Sequence, residues 1–277
     1  MTPFLVVGGT GKTGRAVVAR LRALGVPVRS ASRSGERRFD WADEATWAPV
    51  LDGIAGVYVA PPDDATTVPA FLATAERSGV ERLVLLSARG SDVPGYYGDG
   101  YDGAGSHAPN ERALRATGLR WTILRPGWFA QNFSEGFFRD PVLRGELRLA
   151  AGDGAAAWVD TGDIADVAVA ALTGDGHAGE IYELSGPRAL TVADALAEIE
   201  RVSGRIARYV AVPPERFVEE LAAQGWPRAD ASLWAAGLTP IRTGREAAVA
   251  DGVERALGRT ATDFADFARD AADSWRP

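Results

Sequence analysis

"VVGGTGKTG", residues 6–14, admits two phosphate-binding readings, and they lead to different folds. A nucleoside-triphosphate loop needs G-x-x-x-x-G-K-[ST], with its first glycine opening a wide turn. Counting back from Gly11-Lys12-Thr13, that position is Val6, inside the apolar run Phe4-Leu5-Val6-Val7. The run reads as a buried strand that enters the glycines directly, so the wide loop has no room to form. Gly8, Gly11 and Gly14 instead give G-x-x-G-x-x-G, a spacing variant of the dinucleotide fingerprint, followed at once by the helical pattern of Ala16, Val17, Val18, Leu21 and Leu24. Glycines there allow a tight turn and the close approach of a pyrophosphate to the positive end of the helix. Thr10, Lys12 and Thr13 fill the turn and join the three glycines as cofactor-binding candidates. The bland alternative, a glycine-rich turn that binds nothing, is opposed by the strand before it and the helix after it.

Apolar runs alternate with amphipathic patterns through the first half of the chain, the signature of a parallel sheet covered by helices. Strands are expected at 3–8, 27–32, 37–40, 56–60, 82–87, 121–125 and 180–185, with helices at 12–25, 43–52, 66–78, 107–117 and 163–173. Beyond residue 186 the pattern is mainly helical, with a strand at 207–212. The fold class is therefore α/β, a doubly wound parallel sheet with a small, mainly helical C-terminal cap for the substrate. The expected division is 1–185, with an excursion at about 127–160 contributing to a pocket, and 186–277. Phe264, Phe267, Ala271 and Trp275 form a packing stripe on the closing helix.

At 277 residues the length suits a nucleotide-binding domain with a smaller substrate portion. The net charge of −7 argues against a nucleic-acid partner. With no cysteine there is neither a disulfide nor thiolate chemistry, and no metal-ligand cluster is read. No basic, apolar leader segment and no membrane-length apolar run appear, so a cytoplasmic location and no membrane contact are expected. A small-molecule substrate is the expected partner, and a homodimer is allowed for. Of the 30 basic residues only Lys12 is a lysine, so a scheme that needs a second lysine is excluded.

A dinucleotide site with an unphosphorylated ribose needs an acid about 20 residues past the glycines. The chain has "SASRS" there, where Arg33 flanked by Ser32 and Ser34 suits the 2′-phosphate of NADP(H), preferred over NAD(H). Lys12 can add a second charge at that phosphate. The alternative for Arg33, Arg37 and Arg38 is a solvated basic loop. Asp40 in "FDW" is placed to accept from the adenine amino group, and Pro61 and Pro62 in "VAPP" stiffen a turn beside the cofactor, although each is also ordinary turn chemistry. Ser87, ending "VLLS", is a hydrogen-bonding candidate for cofactor or substrate.

"GGTGKTG", "ASRS", "FDWADEAT", "VYVAPP", "RLVLLSA", "TILRPGWFAQNFS", "GDGAAAWVDTGDIADVA" and "GRTATDFADF" together resemble the NmrA-like branch of the atypical short-chain dehydrogenases. Within it, the chain is most similar to the festuclavine (agroclavine) dehydrogenases of ergot-alkaloid assembly and their bacterial relatives. The resemblance implies a Rossmann-type domain, NADP(H) at the residues above and a pocket beneath "RPGWFAQNF". Family members outside this branch use a Tyr-x-x-x-Lys pair; here the alignment puts His107 at the lysine position and Gly103 at the tyrosine position. Related quinone reductase-like members also carry His there, so His107 is a candidate to touch the nicotinamide ribose, against the alternative of a cap or surface histidine. His177 and the helix-opening Asp160, Asp163 and Asp166 are read as without catalytic function, the last three as capping residues.

Hydride transfer to an ordinary ketone builds an alkoxide and needs a proton donor or oxyanion site, whereas an iminium needs neither and a quinone or enone spreads its charge. Losing the Tyr-Lys pair thus points to a pre-activated electrophile reduced with NADPH, with positioning as the main contribution. Trp128, Phe129, Asn132 and Phe133, at helical spacing, are expected to form the substrate wall, and Tyr97 and Tyr101 are the nearby phenols if a proton is needed. The different-class alternative is a catalytically idle NADP(H)-binding redox sensor of the NmrA-like type.

Overall fold

The computed structural model describes residues 2–33, 35–62, 66–98 and 107–276. Ser34, Tyr101 and Gly103 therefore lie outside the described residues. In chain order the elements are β1 (Phe4–Val7), α1 (Lys12–Ala23), β2 (Val28–Ser32), β3 (Arg37–Arg38), α2 (Trp47–Leu51), β4 (Gly56–Val59), α3 (Val68–Arg77), β5 (Arg82–Leu86), α4 (His107–Arg115) and β6 (Arg120–Pro126). An excursion follows, α5 (Asn132–Glu135), α6 (Arg139–Leu143), β7 (Glu146–Leu149) and β8 (Ala155–Ala156), before α7 (Thr161–Thr173) and β9 (Glu180–Leu184). The C-terminal part contains β10 (Leu190–Thr191), α8 (Val192–Ser203), β11 (Arg208–Ala211), α9 (Pro214–Ala223), α10 (Arg228–Gly237), α11 (Thr239–Arg242), α12 (Gly252–Leu257) and α13 (Phe264–Asp270).

Seven parallel strands are ordered β3-β2-β1-β4-β5-β6-β9. The order reverses between β1 and β4, and such a reversal leaves a crevice beyond the strand C-termini where ligands bind. Side chains alternate across each strand, so a sheet covered on both faces must be apolar at every position. Leu5, Val7, Val57, Val59, Leu83, Leu85 and Ile123 face one way, onto Trp47, Phe71, Leu72 and Leu114 of α2, α3 and α4. Val6, Tyr58, Val84 and Leu124 face the other, onto Val17 and Leu21 of α1 and Ile164, Val167 and Ala168 of α7. Asp160 opens α7 as its cap, accepting from the Gly162 amide at 2.5 Å.

The excursion is built into the C-terminal part. β7 pairs in parallel with β11 and β8 antiparallel with β10. Phe133, Phe138, Leu147, Leu149 and Trp158 share one core with Val192, Leu196, Ile199, Phe264, Phe267 and Trp275. The helical spacing read over 128–133 is not realised: only Asn132–Glu135 is helical, because Phe129 instead bridges Val159 and the Ala130 amide donates to the Val159 carbonyl. Trp275 follows a short 3-10 turn beyond α13 and donates its indole N–H to the Phe133 carbonyl at 2.8 Å.

Candidate active site

The glycine turn closes on itself. Gly8 holds φ at +82°, where a side chain would be strained, and the Gly11 amide donates to the Gly8 carbonyl at 3.0 Å. A Cβ on Gly14 would lie 2.2 Å from that same carbonyl oxygen, so only glycine lets α1 pack so close to the turn. α1 runs for 12 residues and no side chain caps its N-terminus at Gly11. Its first N–H groups and the helix dipole thus favour an anion there. Thr10 and Gly11 are exposed and Thr13 is buried.

At the end of β2 the Ser32 hydroxyl is buried and has no hydrogen-bond partner, while the Ser32 carbonyl accepts from Gly35 and Phe39. Arg33 is exposed beside it. Asp40 is engaged in its own turn: one carboxylate oxygen accepts from the Ala42 amide at 3.0 Å, and its carbonyl accepts from the Trp47 indole at 2.9 Å.

A cavity of about 350 Å³ opens beyond the C-terminal ends of β4, β5 and β6. Eight residues singled out from the sequence line it together: Lys12, Pro61, Ser87, Tyr97, His107, Trp128, Phe129 and Asn132. Pro62 is exposed and lies outside its lining. Phe133 also lies outside it, fully buried in the lower core with its ring 5.0 Å from that of Trp158. Lys12 Nζ donates to Asn132 Oδ1 at 2.7 Å, which ties the phosphate turn to the excursion, and burial lowers the Lys12 pKa. The neighbouring Arg15–Glu135 ion pair makes the same connection at the surface. Trp128 stacks on Phe138 at 5.8 Å, meets Trp158 edge to face and Trp234 at a tilt of 52°, so three rings set its orientation. Tyr97 donates its hydroxyl to the Arg89 carbonyl at 2.8 Å, and His107 opens α4 at the wall.

Two charged groups at this site were not singled out from the sequence. Behind Ser87, the buried Glu111 accepts from Arg125 at 2.9 and 2.6 Å, from Ser87 at 2.5 Å, from Ser91 at 2.8 Å and from Arg115 at 3.0 Å. Burial alone would raise the Glu111 pKa, but the donors from Arg125, Ser87 and Ser91 outweigh it and hold the carboxyl below its ordinary value. Arg125 also meets Asp92 at 2.8 Å. An arginine ending the apolar strand "WTIL" was the available signal, since a buried charge requires a partner. The second group is Glu246, which lines the cavity from the C-terminal part with Arg89 3.7 Å away. It lies in "TGREAAV", where no pattern marks it.

Among the described residues, no group of three or more His, Cys, Asp or Glu side chains is arranged to hold a metal, and no helix is long and apolar enough to cross a membrane.

Residues 8–175 match the NAD(P)H-binding family. An NAD(P)H azoreductase of Xenophilus azovorans is 32% identical, over 96% of this chain and 96% of its own. An agroclavine dehydrogenase of Claviceps fusiformis is 32% identical over 98% of each chain, in line with the resemblance carried by the motifs. Among solved structures, an NADPH-dependent quinone oxidoreductase of Escherichia coli, complexed with NADPH, has a TM-score of 0.82 at 23% identity, covering 96% of this chain and 99% of the other, which shows a common fold.

Proposed function

The chain belongs to the NAD(P)H-binding family, and from that premise we propose that it is an NAD(P)H-dependent reductase, working with NADPH ahead of NADH on a pre-activated electrophile such as an iminium, quinone or enone. The observation that carries this reading is one shared residue: Lys12 belongs to the glycine turn and also to the wall of the aromatic cavity. A dinucleotide held at the turn therefore has a pocket for a planar substrate directly beside it.

The residues present fit the cofactor. Gly8, Gly11 and Gly14 make a turn that Cβ atoms would fill, the uncapped start of α1 offers N–H groups to a pyrophosphate, and the orphaned Ser32 hydroxyl beside Arg33 offers a donor and a charge to a ribose phosphate. Thr10 and Thr13 would flank the cofactor's pyrophosphate, Asp40 and Pro62 would border its adenine, and Pro61, Ser87 and His107 would border its nicotinamide. NADPH, when bound, supplies a hydride equivalent. The protein orients the acceptor: Trp128 and Phe129 give a flat apolar wall, and Asn132, held by Lys12, presents its amide at one end. Lys12, the only lysine, follows no tyrosine at the Tyr-x-x-x-Lys spacing and donates to Asn132, which supports a reaction without a Tyr-Lys pair. This favours electrophiles that need little protonation; Tyr97 lines the cavity, and its hydroxyl would have to leave the Arg89 carbonyl to give up a proton.

The relatives named an azoreductase and an agroclavine dehydrogenase support an NAD(P)H-dependent oxidoreductase. The test is NADPH fluorescence on titration with the purified protein, followed by absorbance decay on addition of quinones, cyclic imines and enones. Turnover of one class supports the reductase. Binding without turnover across the panel would replace it with the sensor reading.

A further inference from the structure

Lys12 and Asn132 meet in the wall of the cavity, and the direction of their hydrogen bond fixes which end of the amide is left for a ligand. An ammonium only donates, so it faces the amide oxygen: Lys12 Nζ donates to Asn132 Oδ1 at 2.7 Å. The Nδ2 group, which only donates, is then the open end of the amide, and among the described residues nothing accepts from it. Both residues are partly exposed, in contrast to the buried Arg89 and Glu246 of the same wall. Arg89 and Glu246 stand 3.7 Å apart and offset each other. Among the described residues Lys12 has no such counter-charge, because Glu135, whose field reaches it, pairs with Arg15. Gly136 makes room for the ammonium, since a Cβ there would lie 2.6 Å from Nζ. This corner of the cavity thus offers a fixed N–H donor backed by a cation.

We propose that Asn132 is a catalytic residue whose Nδ2 donates to the carbonyl oxygen of a conjugated acceptor, and that Lys12 is the positioning residue that keeps the donor end of the amide toward it. Addition of a hydride to the β-carbon of an enone moves the C=C electron pair into the adjacent C–C bond and the C=O pair onto oxygen. The enolate then takes a proton from water at its α-carbon, and the dinucleotide that supplied the hydride is left oxidised. Negative charge therefore develops on the oxygen, and a donor held there beforehand stabilises it more than it stabilises the neutral carbonyl, with no proton transferred. A quinone develops charge on oxygen in the same way. An iminium does not match this corner: its nitrogen has no lone pair to accept from Nδ2, and its positive charge is repelled by Lys12. This assignment rests on the reductase reading and deepens it, adding a group that acts on the developing charge and narrowing the acceptor to a conjugated carbonyl.

The test uses protein saturated with oxidised NADP and two probes of one shape, 4-nitrophenol and 4-nitrotoluene. The absorbance of bound 4-nitrophenol reports its ionisation. In the wild type its apparent pKa is expected about one unit or more below that of the free phenol, the scale of a charge-assisted hydrogen bond to the phenolate. Asn132→Leu should cancel most of that shift while leaving the affinity for 4-nitrotoluene, read from tryptophan fluorescence, unchanged. Asn132→Asp keeps an acceptor for Lys12 but replaces the donor by a negative charge, so it should raise the apparent pKa above the wild-type value, and it decides the matter if the leucine variant does not fold. Lys12→Met should lose part of the shift, because the amide is then free to turn. No lowering in the wild type, an unchanged shift in Asn132→Leu or Asn132→Asp, or an equal loss of both probes overturns the assignment; a full shift in Lys12→Met overturns the part given to Lys12. A parallel NADPH titration separates the two levels: failure to bind NADPH removes the reductase reading, whereas intact NADPH binding with an unshifted phenol removes only the role of Asn132.

Discussion

Replacing Glu111 by Gln keeps the shape of the side chain and removes the charge on which four donors converge. Glu111 is 2% exposed and Arg125 4%, so neither group can turn to water for compensation. Removing one partner of a buried ion pair costs about 3–5 kcal/mol, because the other charge is left desolvated. Asp92 still meets Arg125 at 2.8 Å, which puts the expected loss at the low end, about 3 kcal/mol. For a domain of this size that corresponds to a fall in Tm of roughly 6–12 °C. Arg125→Met should lose a similar amount, since Arg115 is the remaining cation on Glu111. In the double variant each change removes the group the other would strand, so the combined loss should fall short of the sum by about 2 kcal/mol or more. Thermal unfolding of the four proteins under one set of conditions measures this cycle. The pH dependence has a definite sign. The folded Glu111 pKa lies below its unfolded value, so its stabilisation is present above about pH 4.5 and is lost as pH falls through the folded pKa. The gap between wild type and Glu111→Gln should therefore narrow on acidification. Additive single losses within about 0.5 kcal/mol, or a gap that widens in acid, would refute the view that this network is one buried, ionised unit.

Arg33→Ala should raise the KM for NADPH about tenfold or more while leaving that for NADH within about twofold, as expected for loss of a charge-assisted contact to the 2′-phosphate; equal changes for both cofactors would return Arg33 to a solvated loop. Gly14→Ala places its Cβ 2.2 Å from the Gly8 carbonyl, so α1 must move, with a loss of about 1–3 kcal/mol in unfolding free energy and weaker NADPH binding. An unchanged NADPH titration in that variant would count against the glycine turn as the phosphate site.

Elements whose residues must be buried by local rule were readable in the sequence. The alternation between the two sheet faces follows from a period of two, so Val6 and Leu5 point to different helices, and the central strands β1, β4, β5 and β6 fell where the apolar runs lie, whereas the edge strand β3 is two exposed arginines. The short strands β7 and β8 were not readable, because they are held by β11 and β10, more than thirty residues later in the chain, and not by any local pattern. Phe133 shows the same limit in one residue. Its neighbours Trp128, Phe129 and Asn132 reach the cavity, but the bridge between Phe129 and Val159 replaces the helix that the spacing implied, and Phe133 turns into the lower core.

The cavity's two ends differ in legibility for a related reason. Lys12, Ser87 and His107 come from segments that the phosphate turn and the strand ends place by topology, so motif reasoning reaches them. Glu246 arrives from the far end of the chain and has no partner within its own segment for Oε2. A carboxylate buried at 3% exposure is expensive to keep, and it is compensated by the Tyr96 hydroxyl at 2.8 Å and by the buried Arg89 guanidinium at 3.7 Å, both far from it in the sequence.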